Sequence, residues 1–254
     1  MITRRDLVAG GLLTIAWIGT TASCCAQTPR QRHSFGCMLA DDEVDQYLAA
    51  SATQSVASDA QRIVTHSDDR EFDRALAETL DKLSTTFDVL PDFVYYNDFD
   101  GANALATTRG ISRAHGTVLY GQRYLKQHLG LRVHPDVAVT AVCAHEFGHI
   151  VQYKLNLRPT LTAGQTTVKR LELHADFLAG YFSGIRKQQK PDYPAEVFAS
   201  TKAAAGDNQV NHPNHHGRPE ERSAAITRGF EAAYREKRNL SDAIQTGVNY
   251  VLSV

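Results

Sequence analysis

His145 and His149 bracket Glu146 in a His-Glu-x-x-His pentapeptide, set in a largely apolar stretch from Val137 to Val151. Four residues make about one turn of an α-helix, so the two imidazoles stand one above the other on a single face. Neutral imidazoles at that spacing bind one zinc ion, and Glu146 then adjoins a water that the zinc activates. The chemistry this predicts is metal-assisted hydrolysis. With 11 His in 254 residues, the pattern arises by chance in roughly one chain in forty, so a second segment has to decide.

That segment is Leu171-Glu172-Leu173-His174-Ala175-Asp176-Phe177. Glu172 lies 23 residues after His149, and Asp176 lies one turn further on the same helical face. Two histidines from one helix and a glutamate from the next make three metal ligands: His145, His149 and Glu172. The fourth position stays open, as a catalytic site requires. Asp176 is placed to accept the other ring N–H of a ligand histidine and so set its tautomer. This is the gluzincin arrangement. The metzincin alternative needs Gly three residues and His six residues after the second motif histidine. Those positions hold Gln152 and Leu155, which excludes it. His174 falls on another face and is read as a non-ligand.

His145 to His149, Glu172-x-x-x-Asp176 and His216-Gly217-Arg218-Pro219-Glu220-Glu221-Arg222 together resemble the HtpX-like and CAAX-prenyl-protease-like zinc peptidases, especially their small soluble or lipid-anchored bacterial members. The resemblance covers roughly residues 90 to 230 and is specific at the metal motifs. It implies a zincin-like α+β fold with one Zn2+ per chain. It also implies that a histidine and an arginine six residues apart, here His216 and Arg222, lie near the active site. Gly217 stands where that family usually has proline, and His212-Pro213 lies just upstream, so His212, His215 and His216 all remain candidates. Asn103-Ala104-Leu105-Ala106 is similar to the stretch that enters the strand bordering the family's cleft.

The expected activity is zinc-dependent endopeptidase cleavage of extended, unfolded, exported or misfolded polypeptide. Glu146 is the general base, and His216 or Arg222 donates to the oxyanion. The alternative is a non-catalytic or latent zinc-bound module that binds peptides or assists assembly. Glu146 argues against it, because a purely structural site needs no base.

The amino terminus reads as an export signal over residues 1–26. Arg4-Arg5 resembles a twin-arginine signal and precedes an apolar run too short to span a membrane. Thr21-Ala22-Ser23-Cys24 resembles a lipobox that would leave a lipid anchor at Cys24. Cleavage after Ala26 is the competing outcome. The expected location is the periplasm, free or lipid-anchored, with no transmembrane helix in the mature chain. The formal charge of −1 favours neither nucleic acid nor an anionic membrane. Cys37 and Cys143 would survive cleavage after Ala26. They could pair in an oxidising compartment, although Cys143 also reads as a small buried apolar residue.

The elements that must hold these residues form one domain over 41–254, after a linker over 27–40. A helix is expected from Asp41 to residue 64, and a second after Asp69 with Phe72, Leu76, Leu80, Leu83 and Phe87 on one stripe. Short strands follow at Asp92–Tyr96, Ala102–Thr108 and Gly116–Gly121, then a short helix at Leu125–Leu129. The metal helix covers 136–155, a loop 156–167, and the Glu172 helix 168–187. One more helix falls between Pro191 and Gly206, another runs from Pro219 to Arg238, and a last one is capped by Ser241. The fold class is thus α+β, mostly helical, with a small sheet before the metal helix.

Overall fold

The computed structural model describes residues 37–38, 63–98, 101–113 and 115–254. The export signal, the linker apart from Cys37 and Met38, and the helix expected from Asp41 up to residue 62 lie outside them. Among the described residues the fold is mostly helical with a small mixed sheet, in keeping with the α+β expectation.

Four strands, β1 (Ile63–Val64), β2 (Asp92–Tyr96), β3 (Ala104–Thr107) and β4 (Thr117–Gly121), form the sheet in the order β1-β2-β4-β3. β2 and β4 are parallel, while β1 and β3 join antiparallel at the two edges. Ile63 and Val64, expected to end a helix, pair instead with Tyr96 and Tyr95. β-Branched residues opposite aromatics suit a pleated surface. β3 pairs Ala106 with Val118 on its inner side. Its outer side receives Met38 in a parallel bridge.

Helix α1 (Arg70–Phe87) starts where the Asp69 side chain accepts the amide N–H groups of Glu71 and Phe72, and it buries Leu76, Leu83 and Phe87. Helix α2 (Gln122–Leu129) is capped from a distance. The Asp98 carboxylate accepts the N–H groups of Arg123 and Tyr124 at 2.8 and 3.0 Å. Helix α3 (Pro135–Lys154) has Pro at its first turn and is buried almost without a break from Val137 to Gln152. A helix apolar on all sides belongs at the centre of a fold, and α3 packs against the sheet, α1 and α2.

The segment read as a loop over 156–167 contains a short helix, α4 (Arg158–Thr162). Pro159 favours its first turn and Leu161 is fully buried. Helix α5 (Lys169–Gln189) is buried from Leu171 to Gly184. Helix α6 (Glu196–Ala204) follows, then α7 (Pro219–Tyr234) and α8 (Leu240–Leu252). α7 stops at Tyr234, short of Arg238, and Lys237 takes a left-handed φ of 56° that ends any helix. The cap of α8 is Asn239, which accepts the Asp242 N–H, and not Ser241.

α5 and α7 meet backbone to backbone. A Cβ at Gly180 would stand 2.0 Å from the Ile226 carbonyl oxygen, and one at Gly229 would stand 1.8 Å from that of Phe177. Only glycine permits this approach. It brings the first turn of α7, with Arg222, onto the part of α5 that carries Glu172 and Asp176. Among the described residues no helix is long and apolar enough to cross a membrane.

Candidate metal centre

The helical repeat places His145 and His149 on one face of α3, with ring centroids 4.8 Å apart and planes nearly perpendicular. α5 crosses that face and presents Glu172. His145, His149 and Glu172 are all fully buried. His145 Nε2 lies 3.2 Å from Glu172 Oε2, and His149 Nε2 lies 3.6 Å from Glu172 Oε1. Even so, His145 Nε2, His149 Nε2 and Glu172 Oε2 have no hydrogen-bond partner among the described residues. Buried polar atoms are seldom left in that state. Zinc bonds of about 2.0–2.1 Å in a tetrahedron set ligand atoms about 3.3 Å apart, close to the spacings found here. The donors therefore fit a metal ion.

Both imidazoles are held so that Nε2 offers a lone pair. His145 Nδ1–H donates to Asp176 Oδ1 at 2.8 Å. His149 Nδ1–H donates to Gln152 Oε1 at 3.0 Å. Gln152 is itself oriented, because its amide nitrogen donates to the Leu171 carbonyl at 2.8 Å and to His174 Nδ1 at 3.2 Å. The tautomer of each ligand is thus fixed from behind. His174 is occupied in this support and stands outside the metal cluster.

Asp176 does more than orient His145. Arg222 Nε donates to Asp176 Oδ2 at 2.7 Å and Arg222 Nη2 donates to Asp176 Oδ1 at 3.0 Å. Arg222 Nη1 donates to the Ala205 carbonyl at 3.1 Å, and Nη2 stands 3.8 Å from Glu172 Oε2. Burial works against the Asp176 carboxylate, but Arg222 and His145 outweigh it and hold its pKa below the ordinary range. Arg222, expected as a candidate oxyanion donor, is a fully buried side chain gripped in a bidentate ion pair.

The neighbouring acid-base groups are shifted too, and the shifts of His149 and Glu172 favour the forms that bind a metal. Burial lowers the His149 pKa to about 4, against the pull of Glu172, which keeps the ring neutral. Burial likewise opposes ionisation of Glu172, but His216, His149 and His145 around it bring its pKa well below normal. Glu146 is pushed up to about 7, chiefly by burial, with His145 and Lys202 opposing.

A cleft of about 910 Å³ opens beside the cluster, and Glu146, His216, Arg222, Lys202 and Cys37 line it. Of the three histidines in the 208–217 loop, His216 is the one that reaches the cleft. His215 is buried and its Nδ1 donates to Asp207 Oδ1 at 2.6 Å, while His212 is exposed. Asp207 also accepts the His216 N–H at 3.0 Å, which anchors the loop over the site.

Three participants are not foreseen from the sequence. Gln152 carries a signal, since it lies about one turn beyond His149 on the same helix. Lys202 on α6 is buried beside the cleft, and burial and Arg222 depress its pKa. No local signal marks it. Cys37 falls in the expected linker, yet it is buried and its thiol is grouped with His145, His149 and Glu172, all four ligand atoms lying within 4.8 Å of one another. Cys143 is buried elsewhere on α3, and both cysteines are free, so the pairing that an oxidising compartment would permit is not made. Compared with protein-family models, curated proteins and solved structures, the chain matches none of them.

Proposed function

We propose that the protein is a zinc-dependent endopeptidase acting on extended or unfolded polypeptide. The observation that carries this reading is the convergence of three buried, unpartnered donor atoms from His145, His149 and Glu172, with Glu146 facing an open cleft beside them. Two imidazoles and a carboxylate favour zinc over harder cations, which prefer oxygen ligands. The resemblance to HtpX-like and CAAX-prenyl-protease-like peptidases rests on these motif residues and points the same way; a zincin-like fold and an exported location would accompany that reading.

When bound, the zinc ion supplies a Lewis acid that polarises the scissile carbonyl and acidifies the attacking water. Glu146 takes the proton from that water and returns it to the leaving amine. Buried at the wall of the cleft, its carboxyl is placed to do both. Asp176 and Gln152 keep His145 and His149 in the metal-binding tautomer. Arg222 acts through Asp176 as a positioning residue. His216, half-buried at the cleft wall, is the donor to the developing oxyanion. An extended substrate would lie along the outer edge of β3 in place of Cys37 and Met38, which pair there with Ala106, and backbone pairing of that kind recognises main chain more than side chain.

A second reading has one observation in its favour. A cysteine beside two histidines and a glutamate is a four-donor set, and structural zinc sites close all four positions. Glu146 favours the hydrolase, because a purely structural site has no use for a buried carboxyl facing a cleft. The test is zinc stoichiometry together with cleavage of an unfolded protein mixture, for the wild type and for Glu146→Gln. One zinc per chain in both, with cleavage that vanishes in the variant, is the expected result. No bound zinc, or cleavage that survives in Glu146→Gln, overturns the proposal.

A further inference from the structure

Cys37 stands between the metal ligands and the cleft. Its thiol is grouped within 4.8 Å of donor atoms on His145, His149 and Glu172. Those three ligands have no exposure at all, whereas Cys37 lines the cleft. Its backbone is held on both sides. The Cys37 N–H donates to Glu172 Oε1 at 3.1 Å. Its carbonyl accepts the Ala106 N–H at 2.9 Å. Met38 then forms a parallel bridge with Ala106 and is buried in an apolar cluster with Leu161, Leu171 and Leu173. This short strap occupies the outer edge of β3.

Resting on the zinc-peptidase reading, we infer that Cys37 is the fourth ligand of the metal and that the Cys37–Met38 strap is an autoinhibitory segment. Three features support this. The unpartnered buried donors of His145, His149 and Glu172 face the position that the sulfur shares. Thiolate is a strong ligand for a zinc ion that already has two imidazoles and a carboxylate. The strap also takes up the free hydrogen-bonding edge of β3, so one segment denies the substrate both its coordination position and its backbone track. With a metal held by His145, His149 and Glu172, the Cys37 thiol would give up its proton to solvent and its sulfur would complete the donor set. Displacement of the strap would return a proton to the thiol and open the cleft.

The test uses the full chain loaded with cobalt(II) in place of zinc. An intense thiolate-to-cobalt charge-transfer band in the near ultraviolet is expected for the wild type. Cys37→Ser should lose the band, keep one cobalt per chain, and in its zinc form cleave unfolded protein about tenfold faster or more than the wild type. A second measurement needs no variant. Alkylation of Cys37, followed by peptide mass spectrometry, should be slowed when the wild type is metal-loaded relative to chelator-treated protein. One cobalt per chain without the thiolate band overturns the ligand assignment and leaves the zinc-peptidase reading standing. A band with no gain of cleavage in Cys37→Ser overturns the autoinhibition. Absence of bound metal from both proteins overturns the peptidase reading itself, and the inference with it.

Discussion

Gly148 lies against Ala175: a Cβ at position 148 would stand 2.9 Å from the Ala175 Cα. Between the two motif histidines, glycine is what lets α5 come close enough for Glu172 to reach His145 and His149. Gly148→Ala should push the helices apart and destabilise the protein by about 1–3 kcal/mol. Metal affinity should fall in parallel. Urea unfolding and competition with a chelator read the two effects, and an alanine variant with both unchanged would show that this contact does not set the site.

Asp176 joins His145 of the candidate metal group to Arg222, so its two neighbours should respond differently when it is neutralised. Asp176→Asn should weaken metal binding by about 10–100-fold through loss of the His145 support. Arg222→Met should cost about 3–5 kcal/mol of stability, because it leaves a buried carboxylate without its counterion. The double variant should lose less stability than the two single losses combined. Strict additivity in a double-mutant cycle would mean that the pair does not act as a unit.

Burial brings the His174 pKa to about 4, with the Ile244 carbonyl opposing. The folded chain therefore keeps this ring neutral while the unfolded chain protonates it below about 6.5. Its contribution is fully present above pH 6.5 or so and is lost as pH falls towards 4, an effect of about 3 kcal/mol. Denaturant unfolding of metal-free protein at several pH values should show the slope, and His174→Gln should flatten it. An equal slope in the variant would place the pH sensitivity elsewhere.

Glu146 is held where ionisation is unfavourable, which costs stability in the metal-free chain. At pH 8 the folded chain carries an anion that burial resists, so metal-free Glu146→Gln should be more stable than wild type, by up to about 3 kcal/mol. The advantage should shrink as pH falls towards the ordinary carboxyl range. The same variant should retain zinc and lose turnover by at least about 100-fold, measured in the Cys37→Ser background. A Gln variant less stable than wild type at pH 8 would contradict this account.

On the proposed peptidase reading, His216 is a donor at the cleft wall and Asp207 is the residue that holds its loop. His216→Ala should lower kcat by about 100-fold or more with little change in KM, as removal of an oxyanion donor does. Asp207→Ala should loosen the 207–217 loop and raise KM as well, since Asp207 holds His215, Gln209 N–H and His216 N–H. Steady-state kinetics on a fluorogenic peptide distinguishes the two patterns, and identical kinetics would remove His216 from the chemistry.

Much of the site is legible in the sequence, because helical spacing is a local property. His145, His149, Glu172 and Asp176 each declare a face, and one turn of helix is enough to say that each pair points the same way. The sheet that precedes the metal helix and the run of helices that follows it are legible for the same reason. The departures arise where long-range contact prevails over local pattern. Ile63 and Val64 join a sheet edge because Tyr95 and Tyr96 are there to pair with, and the 156–167 loop gains a helix because Leu161 has a core to enter.

By itself, then, the sequence determined that His145, His149 and Glu172 could bind a metal and on which helices they sit. Only the tertiary structure decided which groups surround them. It chose His216 over His212 and His215, committed Arg222 to Asp176, buried Lys202 beside the cleft, and brought Cys37 to the ligands from more than a hundred residues away. The physical reason is that spacing along a helix is fixed by a few backbone torsions. Approach between distant segments depends instead on the packing of every surface between them, such as the glycine contacts that seat α7 on α5 and the apolar pocket that takes Met38.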